Sequence, residues 1–286
     1  MSDILFRGMD RWALDLAYDN RAAVREYPAI AAARAAESER YRASVRFEAD
    51  LRYGSGARER LDFFPAEKAG APLLVFIHGG YWQWNDKEPS SFLVPGPRAH
   101  GFAVALVEYT LAPAADIGRI VDEVNRAVDW LAANAERLGA DPARLFVAGN
   151  SAGGHLTVET IRHPAVRGLL PISGLYDLEP IRLNYLNEAL RLTPADVERY
   201  SPLRNIPTSA PPVVVAVGAT ELPELIRQSK DYADALAARG LAARYLPLAG
   251  HDHFSILDEL ARPDGALCGA LLELSGESGN EPRCSA

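Results

Sequence analysis

A chain of 286 residues with 48% hydrophobic residues has ample material for one large core, and no linker divides it, so one domain is expected over 1–274. With 24% charged residues and no apolar stretch near the roughly 18 residues a membrane span needs, the sequence excludes a transmembrane helix. The formal net charge of −8 argues against nucleic acid or an anionic membrane as a partner.

The N-terminus carries Asp3, Arg7 and Asp10 with no apolar run between them, so no signal peptide is expected. Residues 1–44 are rich in Ala, Arg and Glu, with Trp12, Leu14, Leu16 and Ala17 at helical spacing and a second helical run over 28–41. They read as a helical arm packed on the main body, with Arg21, Arg25, Arg34, Arg40 and Arg42 on a solvated face. From Val45 the pattern alternates, and 45–53 and 60–64 read as antiparallel strands around the turn Gly54-Ser55-Gly56. The run Leu73-Leu74-Val75-Phe76-Ile77 does not alternate, as expected of a strand buried on both faces. Strands then recur at 102–108, 145–148, 169–172, 213–217 and 243–246, with helical patterns between them, clearest at 117–137 and 224–239. This alternation predicts an α/β fold with a mostly parallel central sheet covered by helices on both faces. Ligands of such sheets sit at the carboxyl ends of the strands, where the motifs below fall. The segment 275–286 reads as a disordered tail. Cys268 and Cys284 offer neither a disulfide framework nor metal-ligand spacing, and a reducing cytoplasm fits them.

Gly149-Asn150-Ser151-Ala152-Gly153 follows the buried strand 145–148 and opens a helix. A serine lifted out on such a tight strand-to-helix turn is a candidate nucleophile. Directly after Ile77 comes His78-Gly79-Gly80-Tyr81-Trp82-Gln83-Trp84. Two glycines at a strand end let backbone N–H groups face a cleft, so Gly80 and Tyr81, joined by Ala152, are the candidate oxyanion donors. Tyr81, Trp82 and Trp84 are candidates for an aromatic wall around the substrate.

Together these two motifs, with Arg7-Gly8-Met9-Asp10, Ala17-Tyr18-Asp19-Asn20 and the pair His253-Phe254, resemble the arylformamidase (kynurenine formamidase) branch of the α/β-hydrolase superfamily, near the hormone-sensitive-lipase-like esterases. The resemblance covers most of the chain and implies the order nucleophile, acid, histidine. It implies structural roles for His78 and His155. His100 and His163 precede any acid on the correct strand, which leaves His251 and His253 of the six histidines. The family spacing Gly-x-x-His-Phe favours His253, with His251 as the alternative. For the acid, Glu221 in Gly218-Ala219-Thr220-Glu221 stands where relatives commonly carry Asp; Asp177 and Asp252 are the competitors. Asp177 reads better as a helix cap, and Asp252 is too close in sequence to orient its neighbour.

The resemblance thus implies a serine hydrolase working through an acyl-enzyme, with a small-molecule substrate, no metal and no organic cofactor. The segment of roughly 176–205, with Tyr185, Leu186, Leu190 and Tyr200, reads as a short lid. Asp86 and Lys87 read as a charged surface pair beside the loop. An aryl formamide of the N-formylkynurenine kind is the leading substrate, a short-chain carboxylester the alternative. A non-catalytic receptor would be expected to lack the nucleophile or the base. The sequence leaves a homo-oligomer open.

Overall fold

The computed structural model describes residues 3–276; Cys284 and most of the expected tail lie outside them. One sheet runs through the molecule, formed by β1 (Glu48–Arg52), β2 (Arg60–Phe64), β3 (Ala71–Ile77), β4 (Ala103–Val107), β5 (Ala140–Asn150), β6 (Val166–Ile172), β7 (Val213–Gly218) and β8 (Ala243–Leu248). Its order is β1-β2-β4-β3-β5-β6-β7-β8. The β1–β2 and β2–β4 pairs are antiparallel, and every pairing from β4 through β8 is parallel.

Side-chain alternation along β3 divides the core between the two faces of the sheet. Leu73, Val75 and Ile77 join a cluster that includes Ile120, Val124 and Leu131 of the helix Ile117–Asn134 and Leu225 and Leu236 of the helix Pro223–Ala238. Leu74 and Phe76 join the opposite cluster, with Phe92 and with Leu267 and Leu271 of the helix Ala266–Ser275. Each such fully buried aliphatic side chain contributes about 1.5–3 kcal/mol from area removed from water.

The chain leaves β3 for β4 on one side and returns past it to β5 on the other. That reversal opens a crevice at the carboxyl ends of β3 and β5. Residues 78, 151, 173, 221 and 253 follow the ends of β3, β5, β6, β7 and β8, so one edge of the sheet gathers them.

The arm is helical, at Arg11–Leu16, Asn20–Ala23 and Tyr27–Ser44. Its buried residues differ from the expected stripe: Leu14 and Tyr18, one helical turn apart, are fully buried, while Trp12 is 73% exposed. Among the described residues no helix is long and apolar enough to cross a membrane.

Candidate active site

Ser151 sits on the turn between β5 and the helix Ala152–Glu159 with φ 58° and ψ −121°, a conformation rare for any residue bearing a Cβ. The turn is held by the Ser151 N–H donating to the Ile172 carbonyl at 2.8 Å. Glycine at 153 is required by close approach, since a Cβ there would strike the Ile77 carbonyl oxygen and stand 2.7 Å from that of His78. The helix therefore packs directly on the end of β3, and Ser151 is presented beside the loop that follows β3.

His253 and Glu221 meet there. His253 Nδ1 donates to Glu221 Oε2 at 2.6 Å; a carboxylate accepts only, so the ring proton is on Nδ1 and Nε2 is left as an acceptor. The other carboxylate oxygen, Glu221 Oε1, accepts from the Ser173 hydroxyl at 2.5 Å and the Gly218 N–H at 2.7 Å. Ser151 and His253 line one cavity of about 350 Å³. The alternatives are committed elsewhere. His251 turns its Nε2 toward Glu259 at 3.4 Å, Asp252 caps the N–H groups of Phe254 and Ser255 at 2.8 Å, and Asp177 accepts from the Glu179 N–H at 3.1 Å.

The loop 78–85 is built on an unusual backbone, with φ positive at Gly80, Tyr81, Trp82 and Asn85. The carbonyls of its first three residues are held by hydrogen bonds within the protein. The Tyr109 hydroxyl donates to His78 O at 3.0 Å, Asn85 Nδ2 to Gly79 O at 3.1 Å, and the N–H groups of Gln83 and Trp84 to Gly80 O at 2.9 and 3.0 Å. Neither the Gly80 nor the Tyr81 N–H donates to a protein acceptor among the described residues. The Ala152 N–H, at the first position of its helix, has no intrahelical acceptor. His78 lies beneath, its Nε2 3.0 Å from the buried Glu108 carboxylate and its ring stacked on Tyr109.

Tyr81 and Trp84 line the cavity, but Trp82, expected beside them, does not. Successive positive φ values turn it into the core, where it is fully buried with its edge 5.1 Å, centroid to centroid, from the His155 ring. His155 is buried as well, which drives its imidazole down to about 4, and it contacts the Tyr200 carbonyl at 2.8 Å through Nε2. One turn on, burial pushes the Glu159 carboxyl up to about 8. Lys87 is not a surface partner of Asp86 either. It is fully buried, with Nζ 2.8 Å from Asp50 and 3.2 Å from Asp62, whereas Asp86 pairs with Arg58 at 2.7 Å.

The arm is part of the site, which the sequence did not signal. Asp19, Arg21, Tyr27 and Arg34 line the cavity, and so does Tyr185 from the expected lid segment. Arg34 donates to the Phe254 carbonyl and to Asp258, both at 2.7 Å. Arg21 lies over the Trp84 and Tyr27 rings at 4.6 and 5.3 Å. Neither therefore belongs to a purely solvated face. Arg42, expected on the same face, pairs with the buried Asp62 at 2.5 Å. Among the described residues no cluster of His, Cys, Asp and Glu is placed to hold a metal ion.

The eight-stranded sheet with these residues at its carboxyl edge defines an α/β-hydrolase. Comparison with known proteins narrows this. Residues 61–160 match the family model described as BD-FAE. A kynurenine formamidase of Danio rerio is 32% identical over 256 residues, spanning 84% of this chain and 86% of that one. Esterase LipC of Mycobacterium tuberculosis is 28% identical over 218 residues, spanning 66% of this chain and 54% of that one. Among solved structures, a proposed thioesterase from Silicibacter sp. matches with a TM-score of 0.83 at 30% identity, covering 90% of this chain and 98% of that one. The chain belongs to the kynurenine formamidase family of α/β-hydrolases, and it is an enzyme of the hydrolase class.

Proposed function

We propose that the protein is a serine hydrolase that cleaves an aryl formamide of the N-formylkynurenine kind, or a small-acyl aryl ester, through an acyl-enzyme. The observation that carries this reading is the 2.6 Å contact with Glu221 made by His253, which lines the cavity where Ser151 stands on its strained turn. His253 Nε2 takes the Ser151 proton as Oγ bonds to the carbonyl carbon, while Glu221 fixes the tautomer and stabilises the imidazolium. The unclaimed N–H groups of Gly80, Tyr81 and Ala152 receive the oxyanion. Collapse of the tetrahedral intermediate expels the arylamine or phenol, which takes its proton from His253. Water, deprotonated by the same nitrogen, then attacks the acyl-serine and releases formate or another short carboxylate.

The kynurenine formamidase relative favours the formamide, with Tyr81 and Trp84 walling the aromatic leaving group. The LipC relative favours the second reading, a carboxylesterase of broader acyl range. Steady-state kinetics on N-formylkynurenine and on p-nitrophenyl acetate, for the wild type and Ser151→Ala, test the proposal. A kcat/KM for the formamide above that for the ester, and a loss on the order of 10⁶-fold in the variant, are expected. Residual turnover of more than a few per cent by Ser151→Ala removes the nucleophile; ester turnover without formamide turnover moves the assignment to a carboxylesterase.

A further inference from the structure

Of the two arginines in the cavity wall, Arg34 is committed to Asp258 and to the Phe254 carbonyl. Arg21 pairs with no carboxylate among the described residues, although it lies on the wall of the cavity that holds Ser151 and His253. Its guanidinium is instead laid over Trp84 and Tyr27, at 4.6 and 5.3 Å from the ring centroids. The two rings hold the cation at the wall, and none of its N–H groups is spent on a protein acceptor among the described residues, so they can receive a carboxylate, which a guanidinium binds through two parallel hydrogen bonds. Trp84 is thereby shared: one neighbour is Tyr81, edge-on at 6.3 Å, and another is the Arg21 cation.

We infer that Arg21 is a specificity-determining residue that binds a carboxylate carried by the aromatic leaving group, so that the preferred substrates are aryl formamides or esters with an anionic side chain. This rests on the acyl-transfer reading above. The charge balance favours a monoanion over a phosphate. Asp19 lies on the same wall, its Oδ1 accepting the Ala22 N–H at 3.0 Å, and Asp86 is paired with Arg58. A dianion would meet one uncommitted cation with a carboxylate close by, whereas a carboxylate is matched by Arg21 alone. A leaving group that also carries an ammonium would find Asp19 within the same wall.

The test compares two esters of identical shape and leaving-group chemistry, 3-(4-acetoxyphenyl)propionate and its neutral carboxamide. The wild type should favour the acid in kcat/KM by about tenfold, mostly through KM. Arg21→Gln should bring the ratio of the two kcat/KM values to about one, and Arg21→Lys, which keeps the charge but not the planar fork, should retain part of the preference. Arg25→Gln removes the same charge from the same segment outside the cavity wall and should keep the wild-type ratio. The ratio is also read without turnover, from the Kd of 3-(4-hydroxyphenyl)propionate against its carboxamide followed by tryptophan fluorescence. Loss of turnover thus counts against the acyl-transfer reading, while the Kd ratio still decides on Arg21. A wild-type ratio at or below one, an unchanged ratio in Arg21→Gln, or an equal fall in Arg25→Gln overturns the inference.

Discussion

The Tyr81 phenol donates its proton to the main-chain carbonyl of Tyr18 at 2.7 Å, across the boundary between the arm and the loop that follows β3. The Tyr81 phenol oxygen accepts from Asn20 Nδ2 at 3.0 Å, and the Tyr18 hydroxyl donates to Glu224 at 3.1 Å and accepts from Gln228 Nε2 at 2.9 Å. The arm is thus joined by buried hydrogen bonds to the residue whose N–H is a proposed oxyanion donor. Tyr81→Phe deletes the donor and strands the Tyr18 carbonyl and the Asn20 amide. Urea unfolding should show a loss of about 1–3 kcal/mol. Because the loop has positive φ at Gly80, Tyr81 and Trp82 and needs outside support, kcat should fall roughly tenfold as well. Stability lost with kcat intact would mean that the loop keeps its shape without the arm.

What the sequence disclosed and what it concealed divide on physical grounds. The strand Leu73-Leu74-Val75-Phe76-Ile77 was legible because burial on both faces demands an unbroken apolar run, and Ser151 because a tight turn demands small neighbours. The link from Tyr81 to Tyr18 runs through a main-chain oxygen, which leaves no mark in side-chain chemistry. Lys87 looked like a surface charge because its partners come from distant places. Asp50 lies on a β1 residue with φ 55°, and Asp62 is brought alongside by antiparallel pairing of β2. Ser173, which orients Glu221, carries one weak signal, a small polar residue at a strand end. Trp82 and Trp84 cannot be told apart by alternation, because positive φ at Tyr81 and Trp82 breaks the period.

Glu221 should prove sensitive to its chemistry rather than its size. Ser173 and the Gly218 N–H both donate to Oε1, so Glu221→Gln must place its carbonyl oxygen there and aim its amide N–H₂ at His253 Nδ1. That forces the proton onto Nε2, where it blocks acceptance from Ser151, and kcat should fall about 10⁴-fold. Ser173→Ala removes one of three hydrogen bonds and keeps the carboxylate, so a fall of roughly 5- to 20-fold is expected. A Glu221→Gln enzyme with more than a tenth of wild-type kcat would place the acid elsewhere.

Glu159 makes stability depend on pH. Its carboxyl is raised to about 8 by burial, against the opposing attraction of Arg162 and Arg199, and the neighbouring His155 is driven down to about 4, so at neutral pH both are uncharged. A carboxyl raised on folding binds its proton more tightly in the native state, so the native state is favoured most below the unfolded value of about 4.5 and loses that advantage as pH rises toward 8. Glu159→Gln mimics the protonated form at every pH. Its melting temperature should match that of the wild type near pH 4 and exceed it increasingly from pH 5 to 8. Parallel curves over that range would show that Glu159 is ionised in the native state.

The acyl side of the pocket separates the two substrate readings. The loop 78–85 and the Ser151 turn are in close contact: a Cβ at Gly79 would stand 2.6 Å from the Asn150 carbonyl oxygen and 3.0 Å from Ser151 Cβ. Little give is available where the carbonyl carbon must sit between Ser151 and the loop N–H groups. Tyr27, Trp84 and Tyr185 also line the cavity, and their rings suit an aromatic leaving group. Each methylene forced against a closed wall costs about 1–3 kcal/mol, or roughly 10- to 200-fold in kcat/KM. A p-nitrophenyl series from acetate to octanoate should therefore fall steeply by butyrate, with N-formylkynurenine cleaved faster than any member. Trp84→Ala should weaken formamide turnover mainly through KM, because the ring contacts the leaving group in ground and transition states alike. A maximum at butyrate or beyond would mean that the acyl chain, not an aromatic leaving group, occupies the space lined by these rings, and the aromatic wall would then serve a carboxylesterase.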